Sequence, residues 1–329
     1  MADKFRALLV TKEGDSQKVA LTELAESDLM DGDVTVAVEY STVNYKDGLA
    51  ITGRAPVIRK FPMIPGIDLA GKVLKSQNPK FREGDRVVLN GYGLSEGHYG
   101  GYAQRARVKG DWLVRLADNI STKDAMAIGT AGYTSMLCIL ELEKQGITPK
   151  SGDVLVTGAA GGVGSVAIAV LKKLGYRVIA SSRRAEQEGS YLRSLGADEV
   201  INARELSEAG RPLGKERWAA AVDSVGSHTL ANVIAQTKYD GAVAACGLAQ
   251  GPDLPATVIP FLVRDITLVG IDSVMAPREK REAAWRRLST DMDLAKLDTM
   301  TSHSKLDDVP RLAGEILAGK TRGRVVIDL

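Results

Sequence analysis

Residues 158–164 read Gly-Ala-Ala-Gly-Gly-Val-Gly and follow the short apolar run Val154-Leu155-Val156-Thr157. Glycine at such a turn lets the backbone bend tightly. It also lets a pyrophosphate approach with no Cβ in the way, and brings the next helix close to its strand. The N-terminus of that helix offers N–H groups and a positive dipole end to phosphate oxygens. Val163, Val166, Ala167, Val170, Leu171 and Leu174 recur at three- and four-residue spacing, which is one face of a helix. Strand, glycine turn and helix in that order imply a dinucleotide site on Ala160, Gly161, Gly162 and Val163. The competing reading is a loop whose glycines serve only close packing. The usual pattern, G-x-G-x-x-G, is broken at its first position, where Ala159 stands.

The end of the next strand selects the dinucleotide. An NAD site usually has Asp or Glu there to hold the ribose 2′-hydroxyl. This sequence has Ser181-Ser182-Arg183-Arg184, and its first acid is Glu186. Hydroxyls and a guanidinium fork bind a 2′-phosphate, whereas a carboxylate repels it. Ser182, Arg183 and Arg184 therefore point to NADPH. The competing reading makes the arginines a solvated helix start.

Other chemistries lack their residues. Zinc needs His, Cys and carboxylate ligands together, but His98, His228, His303, Cys138 and Cys246 are scattered. No metal site is expected. Gly93-Leu94-Ser95-Glu96-Gly97 matches the G-x-S-x-G nucleophile pattern. That pattern works on a strand–turn–helix elbow, and the glycine-rich His98-Tyr99-Gly100-Gly101-Tyr102 follows instead. Ser95 is expected to be a loop residue.

The elements around these residues fall into two regions. Short β-like runs, Val34 to Tyr40, Ala70 to Leu74 and Arg86 to Leu89, alternate with turn clusters in the first third. From Ser121 the character changes. A helix start at Ser121-Thr122-Lys123-Asp124 leads into an apolar helix over Ala125 to Leu140. Further strands are expected at Arg177 to Ala180, Glu199 to Ile201, Ala219 to Val222, Ala242 to Ala245 and Ile266 to Ile271. Helices are expected at Ser190 to Leu195 and Thr229 to Gln236. Strands alternating with helices mean a doubly wound parallel α/β sheet. The tail, a helix over Asp307 to Leu317 and a strand over Arg324 to Ile327, is expected to rejoin the first region.

With 43 basic and 41 acidic residues, no field of one sign favours nucleic acid. The apolar stretch Ala7 to Val10 is too short for a signal-peptide core, and no run of bilayer-spanning length is expected. Two cysteines build no disulfide framework, so a cytoplasmic setting is expected.

Val43-Asn44-Tyr45-Lys46-Asp47, Pro65-Gly66-Ile67-Asp68-Leu69-Ala70-Gly71 and Gly129-Thr130-Ala131-Gly132-Tyr133-Thr134 stand in the order of a known set of signature segments. On these the chain resembles the medium-chain dehydrogenase/reductase superfamily, in its zinc-free quinone-oxidoreductase-like branch. In zinc-dependent relatives Cys and His hold the metal at positions corresponding to Asn44 and Ile67. Longer segments, Tyr40 to Gly48, Leu254 to Phe261, Gly270 to Met275 and Gly323 to Val326, are similar to the acrylyl-CoA reductases of that branch.

The resemblance implies a doubly wound NADPH-binding Rossmann domain over 122–297. It also implies a discontinuous, β-rich GroES-like catalytic domain over 1–121 and 298–329. A homodimer is implied, commonly paired through sheet edges near Ile266 to Ile271. Cofactor contacts are implied at Tyr45, Ala160 to Val163, Ser182 to Arg184, Leu248 and Ser273. The implied reaction takes hydride to the β-carbon of an acyl-CoA, acrylyl-CoA, and a proton to its α-carbon. Tyr45 is then a hydrogen-bond donor or proton source, or else it only packs or binds the nicotinamide ribose. Arg324 binds CoA phosphate, steadies the site, or makes a structural ion pair. Asp68 orients a neighbour or satisfies a turn. Two other activities stay open: a quinone or general enone reductase, and a non-catalytic NADPH-binding regulator or structural protein.

Overall fold

The computed structural model describes residues 4–14 and 16–329. β1 (Lys4–Glu13) and β2 (Ser16–Ala25) form an antiparallel hairpin, in which Phe5, Ala7, Leu8 and Val10 of β1 are buried. The valines at 34, 36 and 38 bury one side of β3 (Val34–Thr42), as their period of two requires. α1 (Tyr45–Thr52) follows, then β4 (Asp68–Ser76), β5 (Arg86–Asn90), β6 (Arg105–Val108) and β7 (Val114–Arg115). α2 (Thr122–Lys144) is broken at Gly129, whose φ of 52° and ψ of −165° are not helical.

The alternating region gives β8 (Val154–Val156), α3 (Gly162–Lys173), β9 (Val178–Ser182), α4 (Ala185–Leu195), β10 (Glu199–Asn202) and α5 (Arg204–Ser207). It continues with β11 (Trp218–Asp223), α6 (Ser227–Ala235), β12 (Thr237–Ala245), α7 (Ile259–Arg264) and β13 (Thr267–Gly270). The chain ends with α8 (Arg278–Asp291), α9 (Leu294–Met300), β14 (Thr301–Lys305), α10 (Val309–Leu317) and β15 (Arg324–Asp328).

Besides the β1–β2 hairpin, two sheets carry the strands. One is parallel, in the order β10-β9-β8-β11-β12-β13. Its order reverses at β8, the kind of switch point where ligands sit beyond the carboxyl ends of strands. Leu155, Ile179, Ala221 and Val243, one from each of four neighbouring strands, share a core with Trp218. The other sheet runs β14-β15-β3-β4-β5-β7, with β6 also on β3. There β15 pairs antiparallel with β3, Val326 opposite Thr42, so the tail does rejoin the first region.

The described chain forms two compact units whose limits differ from 122 and 298. One unit takes the chain through Thr130, residues 273–289 and residues from Leu297 onward; the other takes 131–272 and 290–296. The first boundary falls beside the break at Gly129. Residues 273–289 join the β-rich unit because buried Arg281 donates to the carbonyls of Asn90, Ser273, Val274 and Ala276. Its guanidinium also lies 3.7 Å from the Tyr92 ring centroid.

Two local expectations change. α4 starts at Ala185, five residues before Ser190, with Arg184 as its N-cap. α2 is long and apolar enough to cross a membrane by composition, contrary to the expectation that no run is. Most of its apolar stretch is buried inside the protein, as in a core helix.

Candidate active site

The turn after β8 is built without Cβ atoms where the backbone is tightest. Gly158 takes the left-handed φ of 60°, so Ala159 needs no glycine conformation and fills a fully buried place. This explains how the fingerprint survives the loss of its first glycine. Gly164 cannot be replaced as easily, since a Cβ there would lie 2.5 Å from the Ala159 Cα. The Ala159 N–H donates to the Ser181 carbonyl at 3.1 Å, which ties the turn to the end of β9. Gly161 caps α3, and the first N–H to find an acceptor in its helical turn is that of Ser165, bonded to the Gly161 carbonyl at 2.9 Å. The N–H groups of Gly162, Val163 and Gly164 thus belong to the first turn, where a helix has no acceptor of its own.

Asp223 anchors the turn from the other side. Thr157 Oγ1 donates to its carboxylate at 2.6 Å, and the Gly226 N–H at 2.8 Å. Ser224 Oγ donates to the Thr157 carbonyl at 3.2 Å. Burial holds the Asp223 carboxyl above its ordinary range, against these hydrogen bonds. The Cys246 N–H donates to the Asp223 carbonyl at 2.8 Å and starts the loop that carries Leu248, which is 62 % exposed. The neighbouring strands β9, β8, β11 and β12 therefore bring Ser182, Ala160 to Val163, Asp223 and the Leu248 loop to one end of the sheet.

The two arginines after β9 are not equivalent. Ser182 Oγ accepts the Arg184 N–H at 3.1 Å, and the Arg184 guanidinium lies 3.5 Å from Glu188. Arg183 is exposed, and among the described residues its guanidinium has no partner. Ser181 Oγ is buried, with no hydrogen-bond partner among the described residues. A glycine-rich turn, an orphaned hydroxyl and an unpaired guanidinium fit a phosphorylated dinucleotide.

The β-rich unit carries a second cluster, fixed by strand register. Asp68 opens β4 opposite Asn90 on β5, and β15 brings Arg324 to the end of β3. Asp68 accepts from Asn90 Nδ2 at 2.6 Å, Thr130 Oγ1 at 2.5 Å, the Thr130 N–H at 2.9 Å and Asn44 Nδ2 at 2.8 Å. Arg324, 2 % exposed, donates to Thr42 Oγ1 at 2.8 Å, Asn44 Oδ1 at 3.2 Å and the Ala127 carbonyl at 3.0 Å. A Cβ on Gly129 would collide with this guanidinium, so the break in α2 is held by a glycine. Burial pulls the guanidinium below its ordinary value, while Asp68 and Asp47 hold it up.

Of the readings left open for Arg324, its burial and its bonds to Thr42, Asn44 and Ala127 favour a structural or steadying role over contact with CoA phosphate. Its hydrogen bonds are spent inside the unit, and it has no surface on which to meet a phosphate. What it positions is Asn44, the N-cap of α1, whose first residue is Tyr45. Tyr45 is 47 % exposed and presented by that helix end. Ser273 belongs to the same unit, its carbonyl held by Arg281 at 3.1 Å. Ser95 lies in a turn at φ 69°, and its buried hydroxyl lacks a partner, so the loop reading of that serine stands.

Asp47 completes the cluster. It accepts the Asn44 N–H at 2.9 Å and the Ile67 N–H at 2.9 Å. Burial, with the charge of Asp68, pushes its carboxyl up from 3.8 to about 7, opposed by those N–H donors. Because the folded value is raised, the folded state keeps a proton that the unfolded chain loses. The stabilisation is complete below 3.8 and is lost as pH rises through about 7. Urea midpoints should therefore fall with pH across that window more steeply in the wild type than in Asp47→Asn. Parallel slopes would show that Asp47 is ionised throughout.

Asp47, Asn90, Thr42 and Thr130, with Thr157, Asp223 and Ser181 beside the turn, were not singled out in the sequence. Only an acid at a strand end, Asp223, carried a local signal.

Residues 30–118 match the alcohol dehydrogenase GroES-like domain family, and residues 162–290 match the zinc-binding dehydrogenase family. Acrylyl-CoA reductase AcuI of Ruegeria pomeroyi is 51 % identical over 99 % of both chains. The chain belongs to the medium-chain dehydrogenase/reductase superfamily, in its quinone-oxidoreductase-like branch. Escherichia coli YhdH, solved with bound NADPH, is 48 % identical and superposes with a TM-score of 0.95, covering 98 % of this chain and 99 % of that one. Bacillus subtilis YhfP, a putative quinone oxidoreductase solved with NAD bound, is 42 % identical over the whole of both chains, with a TM-score of 0.96. The two units of this medium-chain dehydrogenase/reductase are its Rossmann-like parallel sheet and its β-rich GroES-like domain.

Proposed function

We propose that this chain is an NADPH-dependent acrylyl-CoA reductase that forms propanoyl-CoA. The full-length similarity to AcuI carries the reading. When bound, NADPH supplies hydride to the β-carbon of acrylyl-CoA. Negative charge then builds on the thioester oxygen, and the α-carbon takes a proton. In this reading the N–H groups at the start of α3, with Ala160 to Val163, bind the pyrophosphate. Ser182, Arg183 and Arg184 bind the 2′-phosphate. Leu248 and Ser273 add cofactor contacts. Tyr45 donates a hydrogen bond or the proton as charge develops.

Tyr45→Phe should lower kcat about a hundredfold. The melting temperature should stay unchanged, because the side chain is half exposed. An unchanged kcat with a raised KM for NADPH would reduce Tyr45 to a ribose contact.

We read the chain as zinc-free. The two positions that hold metal in zinc-dependent relatives are Asn44, whose amide serves Arg324 and Asp68, and buried Ile67. A guanidinium already supplies the positive charge there, and no step needs a metal. Full activity after exhaustive chelation supports this, and one tightly held zinc per chain would overturn it.

A homodimer joined through β13 is supported by the place of that strand at the sheet edge and by exposed Val258, Leu262 and Val263 in and beside α7. Sedimentation at a monomer's mass would contradict it. A cytoplasmic location fits two free thiols, and cell fractionation tests it.

The similarity to YhfP favours a quinone reductase as the second reading. NADPH oxidation measured side by side with acrylyl-CoA, crotonyl-CoA and a quinone separates them. Acrylyl-CoA should give the highest kcat/KM. Preference for the quinone would replace the reading, and cofactor binding without turnover would mark a non-catalytic NADPH-binding protein.

A further inference from the structure

The 93–97 turn holds no nucleophile, but it sets Glu96 among cations that no step above uses. Lys46, the residue after Tyr45 at the start of α1, donates to the Glu96 carboxylate at 2.6 Å. Arg59 lies 3.3 Å from the other carboxylate oxygen, and its N–H donates to the Glu96 carbonyl at 2.8 Å. The Glu96 side chain is 14 % exposed and that of Arg59 76 %. One carboxylate thus fixes two cations, leaves one positive charge over, and leaves the guanidinium in solvent. Residues 53–60 add exposed Arg54 and Lys60 and contain no acid. Ile58, buried with Val10, Ala50 and Met63, anchors that segment to the core of the unit. The turn itself is tightly made. The N–H groups of Glu96, Gly97 and His98 all donate to the Gly93 carbonyl at 3.1 Å. Tyr92 and Ser95 take left-handed φ values of 51° and 69°, a conformation that non-glycine residues keep only where their surroundings impose it.

We propose that Lys46 and Arg59, with Arg54 and Lys60 at the rim, bind the phosphates of the CoA thioester, and that Glu96 positions the first two. The proposal rests on the acrylyl-CoA reading above. A CoA thioester carries its reacting carbons at one end of a pantetheine arm and its phosphates at the other. The acyl end needs a donor such as Tyr45 where charge develops. The phosphates need fixed cations on the same unit, and a guanidinium and an ammonium give them charge-assisted hydrogen bonds. A shared counter-ion sets both cations in place before the substrate arrives, so less side-chain freedom is lost on binding. Exposed ion pairs of this kind add little stability, so holding the fold does not account for the strained turn. A quinone has no phosphate for these cations to meet.

Wild type and variants are assayed with acrylyl-CoA and with acrylyl-pantetheine, which keeps the acyl group and lacks the phosphates. In Arg59→Gln the ratio of the two kcat/KM values, CoA over pantetheine, should fall about fivefold through a raised KM for acrylyl-CoA. Arg59→Lys should recover part of it. Lys18→Gln removes an exposed cation of the same unit, paired with Glu13, and controls for bulk charge. Added salt should lower the wild-type ratio more than that of Arg59→Gln. An unchanged ratio in Arg59→Gln, the same fall in Lys18→Gln, or a rise in the KM for NADPH matching that for acrylyl-CoA overturns the proposal. If the wild type reduces neither thioester, the acrylyl-CoA reading falls by itself. Calorimetry with CoA on wild type and Arg59→Gln then decides the phosphate site: weaker binding by the variant supports it, and equal or absent binding overturns it.

Discussion

Arg183→Ala is expected to raise the KM for NADPH about ten- to a hundredfold and to leave the KM for NADH nearly unchanged. The range follows from the roughly 1.5–3 kcal/mol carried by hydrogen bonds to a charged group, at about 1.4 kcal/mol per tenfold. Arg183 is the stronger candidate of the pair because Arg184 is paired with Glu188 and its N–H is held by Ser182. Arg184→Ala should therefore cost less affinity and more local order at the start of α4. Steady-state kinetics with both cofactors check the contrast. Equal losses for NADPH and NADH in Arg183→Ala would mean that this guanidinium does not read the 2′-phosphate.

The largest stability loss is expected from Arg324→Met. The substitution keeps much of the side-chain volume but removes a buried cation from beside Asn44, Thr42 and the Ala127 carbonyl. Breaking a buried charged network by deleting one partner typically costs about 3–5 kcal/mol. Arg324→Lys should recover only part of the loss, since an ammonium cannot span three acceptors as a planar guanidinium does. Turnover should fall with Asn44, because that residue caps the helix that presents Tyr45. Urea denaturation and acyl-CoA kinetics on the same samples test this. Unchanged stability together with a raised KM for acyl-CoA would return Arg324 to the role of a phosphate contact.

The nucleotide-binding half was readable because its signals are local. The apolar spacing from Val163 to Leu174 marks a helix directly after a short strand and glycine turn, and α3 lies where that spacing puts it. The strand end at Ser182 was equally local. α4 was read short because Glu186, Gln187, Glu188 and Gly189 in its first turns carry no apolar period. α8 was missed for a related reason: Arg278 to Arg287 is rich in charge, and the helix buries only Arg281, Ala284, Trp285 and Leu288.

What depends on distant strands was not readable. Arg324, Asn44, Asp47, Asp68 and Asn90 form one cluster only because β15, β3, β4 and β5 lie side by side in a given register. Nothing in their spacing announces it. The same holds for residues 273–289, assigned to the β-rich unit by the reach of Arg281 to the Asn90 carbonyl.

The most direct test of the central claim follows the transferred hydrogen. The enzyme is given acrylyl-CoA with NADPH carrying deuterium at the nicotinamide C4, and the product is analysed by mass and NMR. The expected product is propanoyl-CoA with one deuterium on the β-carbon and a solvent-derived proton on the α-carbon. Deuterium on the α-carbon, or NADPH oxidation that leaves acrylyl-CoA unreduced, would contradict it.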